Sequence, residues 1–250
     1  MVPEPLNPAV IGAVAFAVFL YGFSKTGVPG VGMLAGPLLA AVLGATTASG
    51  FVMPLLILGD LFALARYRQH ADWRLIARLV PGVLVGIALT AVLFRFVDTR
   101  TLGRVVGLLI LVSVGLEVWR RRSPTAAGTR GPRRLVIAFF GTLAGMTTMA
   151  ANSGGAAMTL YLLNMRASML AFMGTFAWFF FIVNVIKVPI LVGLGFLNAD
   201  TLRADLLFVP VVVVAALLGY ATFARMNERL FVNVALALSA IASVWLVVHG

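Results

Sequence analysis

Apolar residues fill ten runs along the 250-residue chain, separated by polar stretches and by glycine and proline. The runs predict helices over 8–25, 32–44, 46–66, 76–95 and 102–119, then over 135–150, 154–164, 168–193, 205–224 and 229–248. At roughly 20 residues per span, the pattern is that of an all-α polytopic membrane protein of about ten helices. The runs fall into a first transmembrane half, 1–119, a linker, 120–134, and a second transmembrane half, 135–250.

Composition agrees with the pattern. With 62% hydrophobic residues, a mean hydropathy of +1.06 and 11% charged residues, the chain is too apolar for a water-exposed domain. A net charge of +11 would suggest nucleic acid in a soluble protein, but the arginines crowd toward segment ends and loops, where they set topology. The expected partners are therefore the lipid bilayer and a small anion, not nucleic acid. The absence of cysteine rules out disulfides, thiolate metal ligands and cysteine nucleophiles, and His70 and His249 lie at a loop and the C-terminus. No metal or other cofactor is expected. No paired carboxylates and no serine–base pair at helical spacing stand at membrane depth, which argues against an enzyme.

The linker holds Arg120 to Arg122 and then Arg130, Arg133 and Arg134, so the positive-inside rule makes it cytoplasmic. Counting outward puts Arg66, Arg68, Arg74 and Arg78 inside, leaves Asp200 and Asp205 outside, and sends both termini out. The Met1–Pro8 stretch lacks the basic start of a signal peptide and is expected to stay attached. The halves also match at a fixed offset. Gly30 pairs with Gly154, Leu38-Leu39 with Leu162-Leu163 and Asp60 with Asn184, all 124 apart, and Pro81 pairs with Pro210 and Asp98 with Asn227 at 129. Five spans per copy is odd, so the second copy is expected to be inverted, with short or broken helices near the midplane.

Three polar constellations interrupt the apolar runs. The first spans 22–32, where Gly27, Gly30, Gly32 and Pro29 are expected to break the helix and Ser24, Lys25 and Thr26 would supply hydroxyl donors and a cation. The alternative is an interfacial loop whose lysine snorkels to headgroups. The second spans 147–155, with Asn152 and Ser153 as donors and Gly154 and Gly155 as the break, or else a site of close helix packing. The third sets Asn184 and Lys187 one turn apart on a single helical face, just before Pro189. Lys25 and Lys187 are the only lysines, and each lies within or at the end of an apolar run, an expensive place for a cation unless it meets an anion. Three roles stay open for Asp60: pairing with a lysine, carrying a coupling proton, or pairing with the loop near Arg66.

The motifs FSKTGVPG at 23–30, LGDLFAL at 58–64, RYRQHADWR at 66–74, NSGG at 152–155 and GTFAWFFFIVNVIKVP at 174–189 together resemble the TauE/SafE sulfite-exporter family of bacterial membrane permeases. The resemblance spans nearly the whole chain. It implies a transporter in the inner membrane that moves sulfite or an organosulfonate such as sulfoacetate. The residues themselves suit an anion with several acceptor oxygens, because fixed donors can replace its hydration water. A carrier working by alternating access, proton-coupled through Asp60, is the leading expectation, and an anion channel with the same residues as its constriction is the alternative. The small-residue faces permit a homodimer.

Overall fold

The computed structural model describes residues 8–93, 96, 99–122, 134–152, 154–193 and 195–249, and among these it is helical with no strand. The helices are α1 (Pro8–Thr26), α2 (Ala35–Leu43), α3 (Ala45–Tyr67), α4 (Trp73–Leu93), α5 (Thr99–Arg122), α6 (Arg134–Ala151), α7 (Gly155–Asn164), α8 (Met169–Gly193), α9 (Ala199–Leu206), α10 (Val209–Phe223) and α11 (Glu228–His249). Five are long and apolar enough to cross a membrane, and α9 with α10 would make a sixth span bent by 56°. The fold class is thus an all-α polytopic membrane protein. Residues 123–133 of the linker, together with Asp98 and Ser153, lie outside the described residues.

Most boundaries fall within a few residues of those predicted. The main correction is the run 205–224, which is two helices and not one. Its start lies upstream at Asn198, whose side-chain oxygen accepts from the backbone N–H groups of Asp200 and Thr201 while the Thr201 hydroxyl accepts from the Asn198 N–H. Pro210 then stands in the first turn of α10, where its missing N–H costs nothing. Pro54, Pro81 and Pro189 are accommodated inside their helices.

The chain forms two compact units interleaved across the sequence. One is Met1–Ala71 with Met173–Met226, and the other is Asp72–Phe172 with Asn227–Gly250. The expected repeats run along the chain, whereas each unit draws helices from both halves.

In the first unit α1 packs most extensively on α10. Glycine makes that approach close. A Cβ on Gly27 would stand 2.7 Å from the Gly219 Cα, and one on Gly22 would stand 3.0 Å from the Ala215 Cβ. Around this seam Val14, Val18, Phe51 and Val212 form a buried core, with the rings of Phe51 and Phe208 edge to face at 5.5 Å. Close van der Waals packing of this kind holds helices together where no water remains to drive association.

In the second unit α4 packs on α6 and α5 on α11. Small residues again form the closer seam, since a Cβ on Gly141 would lie 2.8 Å from the Leu79 carbonyl and 3.0 Å from the Gly82 Cα. The Tyr161 hydroxyl donates to the Leu75 carbonyl at 3.0 Å, tying α7 to α4.

Candidate functional site

The α1 helix runs one residue further than expected, so Ser24, Lys25 and Thr26 form its last turn and the break falls at Gly27–Gly30. Gly30 has φ +108°, a backbone region that side chains rarely adopt, and a 3-10 turn over Val31–Leu34 then leads into α2. Gly32 leaves room for Ser24 and Tyr21, which a Cβ there would strike.

All three polar residues of that last turn are buried. Two hydroxyls are already committed: Ser24 donates to the Tyr21 carbonyl at 2.8 Å and Thr26 to the Ala216 carbonyl of α10 at 2.6 Å. The Tyr67 hydroxyl in turn donates to the Thr26 carbonyl at 2.8 Å, satisfying a backbone group that the end of α1 leaves open. A hydroxyl whose proton is spent offers an anion only its lone pairs. In this conformation Ser24 and Thr26 therefore serve the fold of the break.

Lys25 is different. Its ammonium lies 2.6 Å from Asp60 Oδ1, and the other carboxylate oxygen, Oδ2, accepts from the Asn184 amide at 2.7 Å. The Phe180 ring stands beneath the same ammonium, 4.8 Å from it. Gly59 gives the lysine stem passage, because a Cβ there would come within 3.1 Å of Lys25 Cγ. Asp60 is fully buried, so pairing with the loop near Arg66 is excluded; the Arg66 guanidinium lies instead over the Tyr220 ring at 5.0 Å. Burial of a carboxylate is tolerable here because one oxygen accepts a hydrogen bond and the charge is paired.

Asp60 and Asn184 are the residues matched across the halves at an offset of 124, and they touch each other. Lys187, also buried, follows Asn184 by one turn of α8. The first unit thus gathers Lys25, Asp60, Asn184 and Lys187 from three helices. Asn152, Gly154 and Gly155 belong to the second unit. There Asn152 takes φ +50° at the end of α6, Gly154 caps α7 and Gly155 is its first residue.

Sequence reasoning assigned no binding role to Phe180, although its spacing of four from Asn184 puts it on the same helical face. It also placed Asp205 on the outer side, as the first residue of the run 205–224. In the structure Asp200 is exposed and Asp205 is buried at the end of α9.

Membrane-length helices with buried cations among them define a polytopic membrane protein. Residues 14–246 match the family described as Sulfite exporter TauE/SafE, and the chain belongs to that family of membrane transporters. Comparison with curated proteins and with solved structures gives no match.

Proposed function

We propose that this protein is a secondary carrier of a small sulfur-containing oxyanion, sulfite or an organosulfonate such as sulfoacetate, working by alternating access in the bacterial inner membrane. One observation carries the reading: the first unit buries two lysines, and a buried carboxylate, Asp60, holds one of them, Lys25, in an ion pair. Two buried cations beside an amide donor suit an oxyanion with several acceptor oxygens. Lys187 and the face it shares with Asn184 would receive the anion, while Asp60 and Asn184 hold Lys25 in place. Fixed donors in a dry site favour an ion whose oxygens each accept hydrogen bonds. The ion pair with Lys25 and the hydrogen bond from Asn184 favour the pairing role for Asp60 over the coupling role.

Proteoliposomes loaded with sulfite or sulfoacetate test the proposal. A carrier gives saturable uptake and counterflow of labelled substrate, and Lys187→Gln weakens apparent affinity by roughly tenfold or more, as loss of a charge-assisted contact of about 1.5–3 kcal/mol requires. Folding of that variant, read by thermal unfolding in detergent, stays intact. Steady current without saturation or counterflow would instead indicate a channel. Affinity unchanged in both Lys187→Gln and Lys25→Gln would sink the cation site.

A further inference from the structure

The carboxyl group of Asp205 is the one acidic side chain among the described residues that is buried with neither oxygen hydrogen-bonded. It has no ion-pair partner there either. Asp205 is the penultimate residue of α9, directly before the 56° break that leads into α10. Its neighbours in sequence, Ala204, Phe208 and Val209, belong to or pack on the apolar core of the first unit, with Val14 and Phe51.

Among the described residues, no charged or titratable group of the surrounding elements bonds to Asp205. On α3, which packs against α9, Asp60 is bonded to Lys25 of α1 and to Asn184, and Arg66 lies over Tyr220 of α10. Tyr21 of α1 is buried with its own hydroxyl unpartnered, so it does not reach Asp205. On α9 itself Arg203 and Asp200 pair with each other at 3.6 Å, both well exposed. No charged residue lies in α2 or α10.

An ionised carboxylate with no donor in apolar surroundings is far costlier than the neutral acid, and the carbonyl end of a helix adds further repulsion. We propose that Asp205 is the proton-binding carboxyl of this transporter. It holds a proton in the conformation described here and gives it up when rearrangement at the α9–α10 break admits water. In that step the carboxyl O–H bond breaks, its electron pair stays on oxygen and the proton passes to water. The inference rests on the carrier reading above for its place in transport, but the protonation itself does not depend on the substrate.

Infrared difference spectroscopy of the purified full-length protein, comparing light and heavy water at neutral pH, tests the protonation directly. The expected result is a protonated-carboxyl band in the wild type that disappears in Asp205→Asn. Absence of the band in the wild type, or its survival in Asp205→Asn, overturns the proposal. Transport gives the second readout, with sulfoacetate as the probe. An inward proton gradient accelerates wild-type uptake over counterflow, and in Asp205→Asn the ratio of the two rates falls to unity; a ratio still at the wild-type value also overturns it. Wild-type protein that shows the infrared band but no sulfoacetate or sulfite counterflow would count against the carrier reading and leave the proton site standing.

Discussion

The seam of α1 with α10 in the first unit and that of α4 with α6 in the second are built alike, yet they enclose different chemistry. Gly22 meets Ala215 in one, and at the positions matched by the offsets of 124 and 129 Gly86 meets Met146 in the other. The buried polar side chains diverge. Among the described residues of the second unit they are all hydroxyls, Thr90, Ser113, Thr147, Thr148, Thr159, Ser239 and Ser243, and those of Thr90, Ser113, Thr147, Ser239 and Ser243 donate to a carbonyl of their own helix. In the first unit they include Lys25, Asp60, Asn184, Lys187 and Asp205. Among the described residues, every buried charge therefore lies in one unit. A repeated scaffold needs small residues at its seams, and it tolerates charge only where a partner stands opposite. The Lys25 position makes the contrast concrete, since its match at an offset of 124 is Met149.

The largest expected effect comes from breaking the charge asymmetry. Lys25→Met leaves Asp60 buried without its cation and should cost about 3–5 kcal/mol, read as thermal unfolding in detergent, whereas adding Asp60→Leu should restore most of the loss. At the matching place Met149→Leu conserves volume and should cost less than about 1.5 kcal/mol. If the double variant is no more stable than Lys25→Met, the pair is not what distinguishes the first unit.

The seams should respond alike, which tests the other side of the comparison. Gly27→Leu and Gly141→Leu each force a side chain against backbone, with an expected loss of about 1–3 kcal/mol in either unit. A seam that accepts leucine freely would show that its glycines are not needed for close approach.

The smallest effect concerns hydroxyls. Thr26→Val removes a bond that crosses from α1 to α10 and should cost about 1 kcal/mol. Thr147→Val removes only a bond to the carbonyl of Leu143 on the same helix and should leave stability unchanged. Equal losses would mean that the cross-helix bond contributes nothing special.

Much of the fold was legible in the sequence because burial in lipid demands long apolar runs with internally satisfied backbone. The run 205–224 misled because apolar composition says nothing about a break, whereas the Asn198 cap upstream and Pro210 within the run were the signals of two helices. The site was partly visible. Lys25, Asp60, Asn184 and Lys187 stood out as polar residues in or beside apolar runs, but the 124-residue match of Asp60 with Asn184 spoke only for a repeat and did not show that the two touch. Phe180 was hidden among other aromatics, and Asp205 passed for the outer end of a helix because its apolar run begins at that acid.

Periodicity and composition alone thus settle a helical membrane protein and the polar residues that stand within its apolar runs. Which hydroxyl donates to which carbonyl, which lysine meets a carboxylate and which acid is left without a donor depend on helices brought together from distant stretches of chain. Hydrogen bonds and ion pairs act over a few ångströms, and only packing in three dimensions sets those distances.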